Sequence, residues 1–583
     1  MIVEFEDLRA AEAHIERLEE ELLRLKDVKR DLQRLNEQHR RLQRSAEGRV
    51  AKLLSFPGRW LRQFAKRPPA PLTDYERWLE EHRVSPEKAK ALREQSNAFS
   101  YLPLISILTP TFNPREEFLS AAVESVIAQA YPNWEMILVD DGSNGNSVGL
   151  SRYAERDSRI RLIKQSHAGI SVALNRALTD AHGEWIALLD HDDLLEPDAL
   201  FEVVRLLQND QEIDLIYSDE DKIVDGHFAS PMLKPDWSPE FFTSYDYLGH
   251  LVVMKSELAQ IGFRSEFDGA QDYDLLLQVS EKTERIHHIP RVLYHWRRTP
   301  QSTAHNIRRK PGALEAGRQA VELHLARRGD SGRVSIDWNT HAYRLRRKVS
   351  STRLTLVLVG GTNTDVERIR ARTQFADLHI VTAARSELIE VADDGWLLLL
   401  DHDLEPLDPS WLMAMAEQVE NAAVGAVGAR ILMSTGFVES AGLILLPNGE
   451  IRNAFAGFPR DHPGVNRQLQ VVRNYTAVSA SCLLTRSELV IKAGGFEHSH
   501  SWPICAGVNF CLKLRDAGFR TVSIPYADVR RTSIYTTEKA SCPDLARRWP
   551  ELFQRDPFYH PALSSDRADF SLAISPISRG KIQ

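Results

Sequence analysis

Twice along the chain, an apolar run ends in alternating carboxylates. The first copy is WIALLDHDDLLEPDAL at residues 185–200, and the second is WLLLLDHDLEPLDPSWL, which begins at Trp396. Both belong to a longer alternation of short apolar runs and helix-spaced segments that starts near Leu104. Buried strands joined by helices predict an α/β fold, with a mostly parallel sheet covered on both faces. Ligands of such sheets bind beyond the carboxyl ends of the strands, where these acidic segments fall.

The acidic segment of the first copy has the pattern of a metal and phosphate site. Asp190 and Asp192 lie two positions apart in an extended segment, so both side chains project to the same side. Two carboxylates suit a hard divalent cation, Mg²⁺ or Mn²⁺, which also binds phosphate oxygens. The structural alternative is that Asp192 or Asp193 caps the helix starting near Glu196, which accounts for one carboxylate and not for three.

Two other segments follow neighbouring strands at the same edge. These are TPTFNP at 109–114 and VDDGS at 139–143, where Asp140 and Asp141 can accept hydrogen bonds from a base or a ribose. The alternative is a simple turn, since Asp-Gly is common in turns. No GxGxxG follows the first strand, which argues against a dinucleotide-binding dehydrogenase.

Further along, QDYDLLL and LYHWRRT add titratable side chains. Asp272 lies at a predicted helix start, where N-capping is the structural alternative. His295 and Arg297 alternate with Trp296 on a strand-like run and are expected on one face. There the guanidinium would be a fixed cation and a neutral imidazole a metal ligand, although a lone His-Trp-Arg is more often structural.

Together these segments resemble glycosyltransferase family 2, the inverting nucleotide-sugar transferases of GT-A fold, over about residues 101–330. YSDEDKI, LKPDWSPE and GHLVVMK are similar to bacterial members that build O-antigen and related surface polysaccharides. One departure is Gln271, where the family often has Glu. The site residues that the resemblance implies are Pro110, Thr111, Asp140 and Asp141 for the nucleoside, Asp190 and Asp192 for the metal and diphosphate, His295 and Arg297 closing on the diphosphate, and Asp272 as the catalytic base.

The resemblance implies a metal-dependent transfer of sugar from a nucleotide-sugar donor to a saccharide acceptor, with a lipid-linked saccharide as the hypothesis. Two other classes stay open. A nucleotidyltransferase also uses carboxylate-bound metal, but the glycine-rich triphosphate loop expected near the first strand is missing. A non-catalytic scaffold of a polysaccharide-assembly complex would need none of these acidic and basic residues.

The second copy resembles a damaged domain of the same family. Asp401 and Asp403 are present, but alignment of AGVNFCL with QDYDLLL puts Gly507 at the place of Asp272, and Arg530 falls near the place of His295. Only about 40 residues precede Trp396 in this copy, so a nucleotide-binding strand and helix are expected to be missing. We therefore predict one working site and one structural or acceptor-binding relic.

The N-terminal residues have a different composition. Residues 5–45 keep near-heptad apolar spacing, which predicts a self-association helix or a helix packed on the catalytic domain. Residues 40–67 carry nine Lys and Arg and one acid among aromatic and aliphatic side chains, which suits an anionic membrane or an acidic protein surface. The predicted parts are a coiled-coil helix at 1–48, a basic amphipathic segment and linker at 49–100, a catalytic GT-A domain at 101–335 and a degenerate GT-A-like domain at 350–583.

Composition narrows the cellular setting. The net charge of −8 argues against general nucleic-acid binding. Four cysteines without CxxC spacing predict neither a zinc site nor a disulfide framework, and they fit a reducing compartment. Because no uncharged apolar run reaches 18 residues, we expect a cytoplasmic protein, soluble or peripheral on the inner face of the plasma membrane.

Overall fold

The computed structural model describes residues 73–144, 147–298, 311–350, 353–384, 395–496, 502–533 and 539–573. The predicted coiled-coil helix at 1–48 and the basic residues up to 67 lie outside these ranges. Among the described residues, no helix is both long and apolar enough to cross a bilayer.

A nine-stranded sheet forms the first half of the described chain. Its order is β3-β2-β1-β4-β8-β6-β9-β5, with β7 paired to β6. The first four strands in this order are parallel, and so are β6 and β9, whereas β8 runs antiparallel to both of its neighbours. The strands are β1 (Ile105–Thr111), β2 (Trp134–Asp141), β3 (Ile160–Gln165), β4 (Trp185–Leu188), β5 (Leu194–Leu195), β6 (Leu215–Val224), β7 (His227–Met232), β8 (Val252–Lys255) and β9 (Ile286–Arg297).

Helices cover both faces of this sheet, with a separate apolar core on each side. The third helix buries Leu119, Val123 and Val126 on one stripe, the spacing of an amphipathic helix on a sheet. The helices are α1 (Asp74–His82), α2 (Pro86–Ser96), α3 (Glu116–Ile127), α4 (Ser147–Arg156), α5 (Ile170–Thr179), α6 (Ala199–Asn209), α7 (Pro239–Ser244), α8 (Ser256–Ala259), α9 (Gln271–Ser280) and α10 (Pro311–Arg327).

A hairpin of β10 (Arg333–Asp337) and β11 (Ala342–Arg346) leads to a second nine-stranded sheet. Its order is β13-β12-β14-β21-β16-β22-β15, with β17 paired to β16 and β20 to β22. The remaining strands are β12 (Leu354–Val359), β13 (Leu378–Ala383), β14 (Trp396–Asp401), β15 (Leu404–Pro406), β16 (Val424–Leu432), β17 (Val438–Ser440), β18 (Leu443–Leu445), β19 (Glu450–Asn453), β20 (Arg473–Tyr475), β21 (Cys482–Arg486), β22 (Arg520–Arg531) and β23 (Lys539–Ser541).

The second sheet is a shortened version of the first. Within the described ranges, two strands precede the acidic strand β14, where three precede β4, as the short sequence before Trp396 predicts. The predicted α/β class, with two sheet-containing domains, is confirmed. The later helices are α11 (Asn363–Arg370), α12 (Trp411–Val419), α13 (Ser487–Lys492), α14 (Ile504–Asp516), α15 (Pro543–Arg548) and α16 (Pro550–Gln554).

Buried polar contacts join the two sheet domains. Glu240 of α7 pairs with Arg520 of β22 at 2.7 Å and accepts a hydrogen bond from Asn474 of β20. Near the C-terminus, His560 lies 2.7 Å from Asp219 of β6. Removing one partner of such a pair strands a buried charge, so these contacts fix how the domains dock.

The cysteine prediction requires a correction. Cys505 of α14 and Cys542 form a disulfide, with Cα atoms 6.1 Å apart, whereas no disulfide was expected from the spacing. The two residues are 37 positions apart, and α14 and the segment after β23 bring them together in the fold. Cys482 and Cys511 are free and buried.

Candidate active site

The carboxyl ends of β1, β2 and β4 meet at one edge of the first sheet. Thr111 at the end of β1 pairs in register with Asp140 at the end of β2, and β4 lies on the other side of β1. β8 is antiparallel to β4, so the residues before β8 lie at this edge as well. The predicted ligand segments are therefore neighbours in space.

An acidic cluster with one imidazole stands beyond β4. Ligand atoms of Asp190, Asp193 and His250 all lie within 4.8 Å of one another. Asp193 is fully buried and accepts hydrogen bonds from the Tyr294 hydroxyl and the Arg297 backbone N–H, both at 2.6 Å. Asp193 therefore fixes the loop, and it is not a cap of the following helix.

The electrostatics of this cluster favour a cationic partner. Burial raises the pKa of Asp190, His250 lowers it, and the nearby carboxylates of Asp192 and Asp272 raise it further. Burial and the carboxylates of Asp190 and Asp192 raise the pKa of Asp193 well above its usual range. Raised pKa values at both Asp190 and Asp193 describe a site that favours an added positive charge.

The donor set fits a divalent cation. Within the described ranges, no protein donor binds the side-chain oxygens of Asp190 or Asp192, and His250 adds a nitrogen ligand. Carboxylate oxygens with one imidazole suit Mn²⁺ well and Mg²⁺ less well. The sequence pairs Asp190 with Asp192 as ligands, whereas the cluster of ligand atoms in the structure consists of Asp190, His250 and the buried Asp193.

Asp272 comes to the same edge through the start of α9. It is close enough to Asp190 for its charge to act on that carboxyl. The N-cap of α9 is Ala270, so Asp272 is not the capping residue that the structural alternative required. Its neighbour Asp274 is buried in an ion pair with Arg264 and has a structural role. The Asp272 carboxylate is partly exposed, and its Oδ1 accepts a hydrogen bond from the Tyr273 N–H at 2.8 Å.

Asp246 is a second acid beside Asp272. Burial raises its pKa to about 8, and the charges of Asp272 and Glu220 add to that rise while Lys234 opposes it. At neutral pH Asp246 is therefore mostly protonated, and Asp272 is next to a neutral carboxyl group.

The predicted nucleoside residues are close together, but two of them face inward. Asp140 caps its own turn by accepting from the Ser143 N–H. Asp141 accepts from Gln165, His167, Ala168 and Gly169, and these bonds lower its pKa although burial alone raises it. The four bonds occupy both oxygens, so Asp141 holds the loop 165–169 in place.

On the β1 side, the buried Thr111 hydroxyl donates to the Val139 carbonyl and so points into the sheet. The Pro110 carbonyl lies 3.3 Å from His191, which ties β1 to the acidic loop. Next to Thr111, Phe112 is 42% exposed and stacks on His167 with ring centroids 4.2 Å apart. No pattern in the sequence indicates the pair of Phe112 and His167, which offers an aromatic face beside Asp140.

Arg297 reaches the acidic loop, but His295 does not. Arg297 donates from Nε to the carbonyl oxygen of Asp192 at 2.8 Å. The His295 ring is 1% exposed and lies between Asp221 at 2.6 Å and Glu196 at 2.7 Å. Burial lowers its pKa, but the bonds to these two carboxylates outweigh burial and raise it to about 9.

This geometry corrects the prediction that a neutral His295 contacts the diphosphate or a metal. Both ring nitrogens are occupied, and the ring is an imidazolium at neutral pH. The reason is the register of β9 against β6, which sets His295 opposite Asp221 on the buried side. His295 supports the strand that carries Arg297.

Comparison with known proteins agrees with this geometry. Residues 106–265 match the family described as glycosyl transferase family 2. The matched segment includes β1, the Asp140 turn, the acidic loop and His250, and Asp272 and Arg297 follow it in the same sheet domain. We call this sheet domain the family 2 domain.

Two curated relatives extend the similarity beyond the family 2 domain. An uncharacterized protein, y4gI, from Sinorhizobium fredii is 33% identical over 81% of this chain and 59% of its own length. The O-antigen biosynthesis protein RfbC of Myxococcus xanthus is 31% identical over 87% of this chain and 44% of its own length. The chain thus spans about half the length of these relatives. A crystal structure of S. aureus TarS 1-349 in complex with UDP has a TM-score of 0.31 at 18% identity, covering 38% of this chain and 65% of that one.

His250 is the site residue of the family 2 domain that sequence reasoning missed. Ala187 of β4 pairs with Val253 of β8, and continuing this register puts His250 opposite Asp190. The signal was the polar residue before an apolar strand, but it is informative only if β8 is known to be antiparallel. From the sequence alone, GHLVVMK indicates only a similarity to the bacterial members of the family.

The matching edge of the second sheet contains a guanidinium group. Arg531 is 3% exposed and binds Asp403 at 2.7 Å and Glu439 at 2.8 Å, with Asp401 at 3.8 Å. Ser481 also donates to Asp401, at 2.7 Å. The acidic pair of this copy is thus satisfied by side chains of the protein itself.

In the second copy, the position equivalent to Asp272 has no space for a side chain. Gly507 of α14 packs so closely on the preceding loop that a Cβ there would collide with the carbonyl oxygen of Val478. Arg530 pairs with Glu405 as His295 pairs with Glu196, so the alignment from sequence is consistent with these contacts. The family 2 domain is therefore the copy that has both an open acidic edge and Asp272.

A second cluster of potential ligands, Asp219, His288 and His560, has a different character. Both imidazoles lie on the Asp219 carboxylate, at 3.0 and 2.7 Å. Nδ1 of His560 accepts from the Ala562 N–H, so its Nε2 carries the proton that binds Asp219. A protonated nitrogen is not a metal ligand, and this cluster joins the two domains by hydrogen bonds.

Proposed function

We propose that the protein transfers a sugar from a nucleotide-sugar donor to a saccharide acceptor, with inversion at the anomeric carbon, in cell-surface polysaccharide synthesis. The observation that carries the proposal is the closeness of Asp272 to the open acidic cluster of Asp190 and His250. The O-antigen role named for the Myxococcus relative supports the polysaccharide class. The similarity of sequence over most of this chain makes that class the natural choice.

The donor would bind across the ends of β1, β2 and β4. The exposed face of Phe112 would stack on the base, and Asp140 would accept from the base or ribose. A divalent cation held by Asp190, Asp192 and His250 would neutralise charge on the diphosphate leaving group. Arg297, held against the Asp192 carbonyl, would contribute a second positive charge there.

Asp272 would act on the other side of the sugar. As the acceptor hydroxyl attacks the anomeric carbon, its proton would pass to the Asp272 carboxylate. The bond to the nucleoside diphosphate breaks in the same displacement, so configuration inverts and no covalent enzyme intermediate forms. Asp246, whose pKa is raised to about 8, is mostly protonated at neutral pH and does not compete for that proton.

The other predicted properties are part of this proposal. A lipid-linked saccharide is the proposed acceptor, since the basic segment at 40–67 suits an anionic membrane surface. The helix at 1–48 is proposed to self-associate. The proposed location is the cytoplasm or the inner face of the plasma membrane.

A screen of sugar nucleotides with Mn²⁺ tests the activity, with donor hydrolysis and mass analysis of products as the measurement. Asp272→Asn should lower turnover of the best donor about 1,000-fold, because a general base contributes about 10² to 10⁴. Metal-dependent nucleotide binding should persist, because the substituted residue is not a nucleotide contact.

Asp225→Asn is the matched control, since Asp225 is exposed in the turn between β6 and β7 at a positive φ that Asn also accepts. That variant should retain wild-type turnover. A normal rate for Asp272→Asn would remove the assigned base, and no turnover of any donor by the wild type would remove the proposed function.

A further inference from the structure

A loop of the second domain reaches the acceptor side of the family 2 domain. Its Arg467 donates a hydrogen bond to the carbonyl oxygen of Thr340 and lies over the ring of Tyr245, with 5.4 Å to the centroid. Tyr245 directly precedes Asp246, whose carboxyl group interacts with Asp272. The guanidinium of Arg467 therefore lies over the residue that directly precedes Asp246, the neighbour of the proposed base Asp272.

Side chains of β6 and β9 lie near this loop, since the charge of Arg467 acts on Lys222 of β6. Lys222 Nζ lies 5.2 Å from the ring centroid of Trp296. Trp296 meets the ring of His250 edge-on at 6.0 Å, and His250 belongs to the acidic cluster. Contacts through His250 and Trp296 thus connect the acidic cluster to Lys222.

Three cations lie near one another on this surface. Burial lowers the pKa of Lys222, and the charges of Arg298 and Arg467 lower it further while Glu220 opposes them. Glu220 is already bound by Lys234 at 3.3 Å and by the His250 backbone N–H at 2.6 Å. Like charges gathered without a free counter-ion are unfavourable unless an anion joins them.

Three buried polar atoms without hydrogen-bond partners among the described residues belong to residues next to Arg467 and Tyr245. Asn466 Nδ2, Thr340 Oγ1 and Asp246 Oδ1 are buried and have no hydrogen-bond partner in the described part of the chain. Buried polar groups in folded proteins nearly always have partners, so unmet ones indicate a polar ligand or ordered water. A saccharide, with hydroxyl groups that both donate and accept, can satisfy such a set.

We propose that this surface, formed by Lys222, Arg298 and Arg467 beside Trp296 and Tyr245, binds an anionic group of the acceptor. The inference rests on the proposed function for the existence of an acceptor, and it adds that the acceptor bears a phosphate or a carboxylate. Because Arg467 comes from the second domain, the copy without a working site of its own contributes to acceptor choice.

Strand geometry separates this anion site from the donor site. Successive residues of a strand point to opposite faces, so Arg297 and Arg298 are directed apart. Arg297 lies over the ring of Phe118 and against the Asp192 carbonyl, on the donor side. The Arg298 backbone instead pairs with Ile223, next to Lys222. One adjacent pair of arginines thus supplies a cation to each side.

Binding of charged and neutral sugars by the full chain tests the proposal. The probes are glucose 1-phosphate, glucuronic acid and glucose, measured by calorimetry with EDTA present so that the metal-dependent donor site is inactive. One or both charged probes should bind about ten-fold or more tightly than glucose, the usual gain from hydrogen bonds to charged groups. A preference for only one identifies the anion as phosphate or carboxylate.

Arg467→Gln and Lys222→Gln should each weaken binding of the preferred probe about ten-fold. Arg515→Gln, on the exposed side of α14, is the matched control and should bind as the wild type does. Two variants are used because Arg467 also holds the Thr340 carbonyl, whereas among the described residues the Lys222 ammonium contacts only the Trp296 ring and makes no hydrogen bond.

Equal binding of all three probes, or probe binding that Arg467→Gln leaves unchanged, would overturn the proposal. So would a loss that follows Arg297→Gln instead, since the probe would then occupy the donor site. Donor hydrolysis with Mn²⁺ is measured on the wild type and on the Arg515→Gln control, where it should be the same. Failure of the anion site is thus distinguishable from failure of the transferase activity, which the hydrolysis assay reports separately.

Discussion

The two acidic strand ends of this protein differ in what supplies the positive charge. Beyond β4, Asp190 and Asp192 have no protein donor within the described ranges and lie beside His250. Beyond β14, Arg531 binds Asp403 and Glu439 directly. The same sequence pattern thus gives one edge that requires an external cation and one edge that contains its own.

The position of Arg531 explains how this difference arises. Arg530 of β22 pairs with Glu405 as His295 of β9 pairs with Glu196. The next residue of β22, Arg531, lies opposite Leu404 and reaches the acids. In the described part of the first sheet domain no guanidinium binds the side chains of Asp190 or Asp192, so that edge stays open. A buried carboxylate pair is stable in either case only with a cation, and the choice between a bound ion and Arg decides whether chemistry is available.

The largest expected effect comes from removing the charge of the open edge. Asp190→Asn should lower donor turnover about 1,000-fold, equal to about 4 kcal/mol, because stabilisation of the leaving group is lost. Asp401→Asn, the equivalent change in the second domain, should leave turnover within about two-fold of wild type. Steady-state hydrolysis of the best donor measures both. Equal losses in the two variants would mean that both edges take part in the reaction.

A smaller effect is expected from opening the closed edge. Arg531→Met should reduce the free energy of unfolding by about 3 kcal/mol, because Asp403 and Glu439 become buried charges without a partner. Mn²⁺ should restore part of this stability by binding Asp401, Asp403 and Glu439, which Arg531 no longer covers. The wild-type second domain should gain no stability from Mn²⁺ at this edge. Thermal unfolding with Mn²⁺ or with EDTA measures the difference.

Arg530→Met is the control for this change, since Arg530 is more exposed and its pairing with Glu405 is longer, at 3.2 Å. It should cost at most about 1 kcal/mol and create no response to Mn²⁺. If Arg531→Met were as stable as wild type, the guanidinium would not be what neutralises the second acidic edge.

Much of this comparison could be predicted from sequence, since it depends on local patterns. The apolar runs that end in carboxylates gave the strands, the edge and the pair of Asp190 and Asp192. The loss of a base in the second copy was also visible, because Gly507 has no side chain. Such features depend only on residues that are close in the sequence and on the two-residue period of a strand.

The features that sequence could not supply depend on register and direction between distant strands. His250 reaches Asp190 only because β8 is antiparallel to β4, and His295 is buried only because β9 pairs with β6. Arg531 fills the second edge from a strand about 130 residues after β14. No periodicity within one segment predicts which distant strand will be its neighbour.

The smallest expected effect separates the supports behind the two edges. His295 is held between Asp221 and Glu196 with a pKa raised to about 9, whereas the equivalent Arg530 stays charged at every ordinary pH. A raised folded-state pKa gives stability that is complete below the unfolded value of about 6.5 and is lost as pH rises through about 9. The wild type should therefore lose about 2 kcal/mol between pH 7 and pH 9.5 that His295→Gln does not lose. Urea unfolding of both proteins across this range measures the difference, and parallel pH curves would mean that His295 is neutral in the folded protein and that its two carboxylates are not its charge partners.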